Sequence, residues 1–297
     1  MVNVYIIAGP TATGKTDVAI ELAKRIDGEI VSCDSMQLYK YMDIGSAKPT
    51  KEEMEQVSHH LIGVIEPSDF FTVARYQKMA FQAIDDIVSR GKTPIVVGGT
   101  GLYLNSLLYI MDFAAKPIDQ KRRIELEAMN GEDLYAYLLE INSGAAERIH
   151  PNNKKKVIRA IEATELGKEV KPFEECNIKN KSHNFKLYGL LWDRKTLYER
   201  INQRVENMIE AGLVDEVKNL FSMGLTSDNY SMKGIGYKEI IEYLNGNYTL
   251  DEAVHLIKKN TRHFAKRQQT WFKKYEDMIW LNVDEDTNIA DTVEKIL

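Results

Sequence analysis

Cysteine is nearly missing from this 297-residue chain. Cys33 and Cys176 stand far apart, too few for a disulfide framework or a cysteine-rich zinc site. Proline is sparse at seven residues, and no low-complexity linker or internal repeat interrupts the sequence. No apolar run approaches the roughly 18–20 residues of a membrane span, and the first residues lack a signal-peptide pattern. Positive charge is not in excess either. The formal net charge of −5 argues against a generally basic nucleic-acid binder, though totals conceal local patches. These absences predict a cytoplasmic protein with no membrane partner. What is present, 44% hydrophobic and 28% charged residues, excludes wholesale disorder and suffices for one large or two modest domains.

The opening reads as strand, glycine-bearing turn, helix, strand. Val4 to Ala8 is almost wholly apolar, as in a parallel strand buried on both faces. Val18, Leu22 and Ile26 then recur at helical spacing, Gly28 ends the helix, and Glu29 to Cys33 alternates into a second strand. A third strand is expected at Leu61 to Ile65, a helix at about 73–89, and a buried strand at Pro94 to Val97. This rhythm predicts an α/β fold, a P-loop parallel sheet core flanked by helices. From 113 to 184 it gives way to polar helical patterns with no convincing buried strand, which predicts a mostly helical insertion domain. Phe185 to Trp192 restores a strand, and helices are expected over about 194–211, 213–223, 235–245 and 249–275. The expected core is therefore 1–112 with 185–297.

Gly9, Pro10, Thr11, Ala12, Thr13, Gly14, Lys15 and Thr16 match G-x-x-x-x-G-K-[ST] without a gap, between the first strand and its helix. Glycines let the backbone curl so that N–H groups face an oxyanion, and the positive end of the following helix faces it too. Lys15 brings a charge to the terminal phosphate, and the Thr16 hydroxyl suits Mg²⁺ or a phosphate oxygen. Such a loop does not reveal what the phosphate belongs to.

Asp34 follows the second strand directly. In an open parallel sheet the carboxyl ends of strands face the ligand crevice, so Asp34 should lie near what Lys15 holds. It could coordinate Mg²⁺, take a proton from an acceptor, or simply be a solvated turn residue. Gly98, Gly99, Thr100 and Gly101 end another buried strand, where so many glycines suggest close approach to a ligand, or only a turn.

The strings GPTATGKT, DSMQLYKYMDIGSAKP, GGTGLYL, RIHPNNKKKVIRAIE, GIGYKE and TRHFAKRQQTWF occur here in the order they take in the tRNA dimethylallyltransferase family, which the chain resembles from about residue 4 to 282. The resemblance implies transfer of a dimethylallyl group from dimethylallyl diphosphate to N6 of the adenosine just 3′ of a tRNA anticodon, with diphosphate leaving and Mg²⁺ assisting. It implies that the loop Gly9–Thr16 holds diphosphate, not ATP, and that Asp34 is the base at N6. Ser35, Met36 and Gln37 would complete a tRNA-contacting stretch, Thr100 would lie near the reacting amine, and Arg204, within an R-[IL]-x-x-R-[VF] helix, would bind diphosphate. Where family members commonly carry glutamine and arginine, this chain has Lys155 and Lys156. The zinc finger of some eukaryotic members has no counterpart, so the bacterial type is the expectation.

The stretch Val254 to Tyr275 holds seven Lys or Arg, two His and no acid. Val254, Ile257, Thr261, Phe264, Gln268, Trp271 and Tyr275 step by three or four, predicting one packing face, with Lys266, Arg267 and Lys273 among the cations left for phosphates. Gln268 is also a candidate RNA contact. Smaller clusters, Lys121-Arg122-Arg123 and Lys154-Lys155-Lys156 with Arg159, are tRNA-contact candidates or plain solvent decoration. Gly234 and Gly236 mark a close backbone approach, flanked by Lys233 and Lys238, which are candidate tRNA contacts. Tyr237, like Trp271, reads more as core than as a base platform, although it joins Gly234 among the candidate contacts. His150 more simply orders the turn before Pro151. A small-molecule kinase, a prenyltransferase of free adenine nucleotides and a non-catalytic RNA binder share parts of this pattern. The cationic helix and insert speak against the second, and the intact Lys15-Thr16 pair against the third. The tRNA-modifying reading, in a monomer that binds an anticodon stem-loop and dimethylallyl diphosphate, covers all of it.

Overall fold

The computed structural model describes residues 1–111, 120–167 and 178–297. Cys176 lies outside them. The chain divides into two units, Met1–Leu108 with Asn180–Leu297, and Tyr109–Lys179.

The first unit is built on one six-stranded sheet. Its strands are β1 (Asn3–Ala8), β2 (Gly28–Ser32), β3 (His59–His60), β4 (Thr93–Gly98), β5 (Asn184–Leu191) and β6 (Ile279–Asn282). They lie in the order β3-β2-β4-β1-β5-β6, and every pairing is parallel. Parallel pairing needs crossovers, and the helical stretches between apolar runs supply them. Those helices are α1 (Lys15–Arg25), α2 (Lys51–Gln56), α3 (Val73–Ser89) and α4 (Gly101–Leu108). After the second unit come α9 (Arg194–Glu210), α10 (Leu213–Ser222), α11 (Tyr237–Leu244), α12 (Leu250–Phe272) and α13 (Ile289–Glu294). Val4 to Ala8 are buried, as are Ile95 and Val96, so the central strands carry the core on both faces. Register sets Ala8 beside both Gly98 and Gly189, and Ser32 beside Val97, which brings the carboxyl ends of β1, β2, β4 and β5 to one edge.

The third strand departs from the sequence expectation. Leu61 to Ile65 is not a strand; the pairing with β2 runs through His59 and His60 instead. Leu61 and Ile65 are buried, but Leu61 has φ 61° and Gly63 has φ 60°, which turn the chain at once. The apolar run reports burial of a turn.

The second unit holds α5 (Gln120–Ala128), α6 (Gly131–Ile141), α7 (Ser143–Arg148) and α8 (Lys154–Glu165). Asn130, Asn142 and Asn153 cap three of these through their side-chain oxygens. Leu126, Leu134, Leu138, Ala145, Val157 and Ile161 form a core of its own. His150 accepts from Asn152 N–H at 3.2 Å, ordering the turn at Pro151.

Candidate active site

The loop between β1 and α1 is shaped by three positive φ angles, Gly9 at 150°, Ala12 at 65° and Gly14 at 81°. Ala12 is the costly one, since a left-handed residue with a Cβ gives up ~1–2 kcal/mol. Three partners hold the loop in that form. Arg200 Nε donates to Ala12 O at 3.0 Å and its guanidinium stacks on Trp192, 4.1 Å from the ring centroid. Trp192 Nε1 donates to Thr13 O at 3.1 Å. Gln268 accepts from Thr11 N–H at 3.0 Å and donates to Gly99 O at 2.9 Å. The N–H groups of residues 12–16 have no acceptor among the loop and cap hydrogen bonds of the described residues. A run of such donors at a helix N-terminus is a ready anion cradle.

Lys15 Nζ folds onto Pro10 O at 2.6 Å. Burial, and then the charge of Arg204, lower its pKa to about 7, while Asp34 acts in the opposite sense. Burial also lowers Arg204, and Asp34 is the largest opposing influence there. One carboxylate, at the end of β2 with β4 between it and β1, is thus felt by both cations. Asp34 Oδ1 accepts Met36 N–H at 2.9 Å, and among the described residues no donor reaches Oδ2. Thr100 lies beside it: its hydroxyl accepts Ser35 N–H at 3.0 Å and its own N–H donates to Cys33 O at 3.1 Å. The arrangement joins an oxyanion cradle, two cations and an available carboxylate oxygen at adjoining strand ends.

A model of the IPP transferase family matches residues 37–275, which is most of the chain, although the phosphate loop and Asp34 precede the matched span. This chain belongs to the IPP transferase family. A tRNA dimethylallyltransferase of Acetivibrio thermocellus is 51% identical, over 100% of this chain and 96% of that protein. One from Alkaliphilus oremlandii is 50% identical, over 99% and 96%. The solved tRNA isopentenylpyrophosphate transferase of Bacillus halodurans superposes with a TM-score of 0.75 at 42% identity, covering 100% of this chain and 96% of that one. A eukaryotic dimethylallyltransferase, solved acting on tRNA, gives 0.86 at 30% identity, over 98% of this chain and 77% of its own.

Against the IPP transferase framework several sequence expectations need correction. Gly98 and Gly99 are close approaches to protein: a Cβ would lie 2.2 Å from Cys33 O in the first case and 2.2 Å from Gln268 Nε2 in the second. Gln268 is buried with both amide atoms engaged, so it braces the phosphate loop and is not an RNA contact. Tyr237 is fully buried with its hydroxyl on Glu216, so it too is withdrawn from the RNA contacts. Gly234 packs on the Met36 side chain. Helix α12 and the turn after it bury Ile257, Gln268 and Tyr275 of the expected stripe, but Ala253, Ala265 and Phe272 take the places expected for Val254, Phe264 and Trp271; Val254 and Phe264 are only half-buried and Trp271 is 37% exposed.

The cations divide sharply. Arg122 pairs with Glu125 and Glu165, and Arg123 with Glu127 and Glu162, so much of the α5 cluster is neutralised within its own unit. Lys154 donates to the carbonyls of Glu127 and Met129. Lys155, Lys156 and Arg159 on α8, and Lys266, Arg267 and Lys273 on or just beyond α12, are exposed and form no ion pair among the described residues. Lys121, Lys233 and Lys238 are exposed as well. Arg200, Trp192 and Glu216 went unnoticed in the sequence. Arg200 alone had a signal, lying one helical turn before Arg204.

No helix among the described residues is long and apolar enough to cross a membrane, and none of their acidic, histidine or cysteine side chains cluster as a metal site.

Proposed function

We infer that this chain is a tRNA dimethylallyltransferase, which alkylates N6 of the adenosine 3′-adjacent to the anticodon with the dimethylallyl group of dimethylallyl diphosphate. What carries the reading is the meeting, at one edge of the sheet, of the anion cradle after β1 with Asp34 after β2 and Thr100 after β4, whose hydroxyl and N–H hold the residues on either side of Asp34, with Lys15 and Arg204 near enough to feel that carboxylate. A diphosphate in the cradle meets both cations while the acceptor amine meets the carboxylate.

The chemistry divides along the same line. An allylic carbon tolerates developing positive charge, so most of the barrier is departure of diphosphate. The loop N–H groups, Lys15 and Arg204 stabilise the negative charge that grows on the leaving oxygens. Adenosine N6 is a poor nucleophile, its lone pair being conjugated into the ring. Asp34 Oδ2 accepts the amine proton as the carbon–nitrogen bond forms, an assistance of typically ~10²–10⁴-fold. Thr100 aligns the segment at Ser35 and offers the amine a polar neighbour. The base must be splayed out of the RNA loop to reach this crevice.

A magnesium ion fits the Thr16 hydroxyl, which has no partner among the described residues, together with diphosphate oxygens; the absence of a carboxylate cluster there leaves the ligand to supply most donors. When bound it would neutralise part of the leaving group's charge. The unpaired cations of α12 and α8 provide phosphate contacts. The test is mass analysis of an unmodified anticodon stem-loop after incubation with protein, Mg²⁺ and dimethylallyl diphosphate. One dimethylallyl group on the adenosine 3′ of the anticodon is expected; an unmodified product, or alkylation at another base, overturns the reading.

A further inference from the structure

A buried carboxylate remote from the phosphate loop has no part in the chemistry above, yet it is fully employed. Glu216 on α10 is 9% exposed. Its Oε2 accepts the N–H groups of Asp43 and Ile44, both at 2.7 Å, and Oε1 accepts Gly45 N–H at 3.0 Å and the Tyr237 hydroxyl at 2.8 Å. Three consecutive backbone donors on one carboxylate fix a turn that has no regular structure of its own. The Tyr237 ring closes the other side: a Cβ on Gly45 would lie 2.6 Å from it, so only glycine lets the turn come so near.

That turn is wired back to the residues after Asp34. Gln37 Nε2 donates to Ala47 O at 3.0 Å and Gln37 Oε1 accepts from the Ser32 hydroxyl at 3.0 Å. Lys48 Nζ ties Tyr39 O to Asp43 Oδ1, both at 2.5 Å. Gly234 abuts the Met36 side chain and also approaches the Tyr237 ring. Glu216 and Tyr237 therefore grip the stretch from Met36 to Lys48 at its far end, while Thr100 holds Ser35 at its near end.

We propose that Glu216, with Tyr237, is a positioning residue for acceptor recognition: it sets the Met36–Gln37 backbone so that the RNA base arrives in register with Asp34. The proposal rests on the dimethylallyltransferase reading, since it assigns this stretch to the acceptor. It separates the two substrates. The diphosphate cradle is braced by Arg200, Trp192 and Gln268 and owes nothing to Glu216.

The experiment measures kcat and KM for an anticodon stem-loop and for dimethylallyl diphosphate in the full chain and in Glu216→Gln, Tyr237→Phe and Glu239→Gln. The glutamine amide keeps one acceptor but turns N–H groups toward donors. KM for RNA should rise about tenfold in Glu216→Gln, by an amount typical of a mispaired buried hydrogen bond, with the diphosphate KM within about twofold. Tyr237→Phe removes one donor of four and should move in the same direction by less, which keeps the test open if the glutamine variant fails to fold. Glu239 is an equally buried carboxylate, 3% exposed, that caps α11 through Gly236 N–H and bonds none of residues 34–48. Its glutamine variant should leave the ratio of the two KM values unchanged. Equal changes in both KM values, or an unchanged RNA KM, overturn the proposal. Hydrogen exchange on the same proteins separates it from the functional reading. Exchange in Glu216→Gln should accelerate at residues 43–45 and also at 36–40 whether or not transfer is observed. Acceleration confined to 43–45 breaks the relay, whereas inactive wild-type protein with the relay intact breaks only the reading.

Discussion

At the residue scale the crevice assigns its work to few atoms. Asp34→Ala should abolish prenyl transfer, by the ~10²–10⁴-fold of a lost base or more, while stem-loop affinity stays within about threefold. A filter-binding titration beside the transfer assay checks this, and a parallel loss of binding would take Asp34 out of the base role. Lys15 gives the crevice a pH signature. Its pKa of about 7 in the unliganded protein means that only the protonated fraction is ready for an anion, and a bound diphosphate raises that pKa again. Donor affinity should therefore be level below pH 7 and weaken by up to ~tenfold per unit above it. Isothermal titration with dimethylallyl diphosphate between pH 6 and 9 tests the sign, and Lys15→Arg, charged throughout, should flatten the curve. The motif residues Lys15, Asp34 and Thr100 were legible because their chemistry is local to short strings. Gln268 was not: an amide that bridges Thr11 and Gly99 looks, in sequence, like any polar residue on a basic helix.

At the scale of elements, α12 is the clearest case of one helix with two duties. Alanines at 253 and 265 let it lie close, Gln268 reaches across to the phosphate loop, and Lys266 and Arg267 point elsewhere, exposed. Replacing Lys266 and Arg267 together with alanine should weaken stem-loop binding and lower the log–log salt slope by about 1.4–1.8, two phosphate contacts' worth, with the donor KM unchanged. Fluorescence anisotropy across a salt series measures that slope. Part of the expected stripe ran one position off because large residues such as Phe264 and Trp271 resemble core, whereas at two of the three displaced positions the helix packs through alanine. The same bias misplaced β3. Its two histidines carry no hydrophobic signal, and His60 is held by the buried Glu29 at 2.7 Å. The longer strands and helices were legible because parallel strands buried on both faces read as apolar runs, and the crossover helices keep their period.

At the scale of the whole molecule, the first unit carries the phosphate loop, Asp34, Thr100 and Arg204, and the second carries its own core. Replacing residues 109–179 with a short glycine-serine bridge should leave a folded protein that binds dimethylallyl diphosphate within a few-fold of the full chain, with a raised stem-loop KM. Circular dichroism and donor titration check this; a protein that collapses would make the two units one cooperative body.

The junction explains why such a replacement is reasonable. Asn180 N–H donates to Leu108 O at 2.8 Å, and two residues further along each strand Ile110 N–H donates to Ile178 O at 2.8 Å, on either side of the antiparallel bridge of Tyr109 with Lys179. The polypeptide departs and comes home through touching peptide groups. A segment inserted that way is a cassette: residues can be added or trimmed inside it without shifting β4 or β5 by a single step, so its helices can evolve while the catalytic sheet stays as it is.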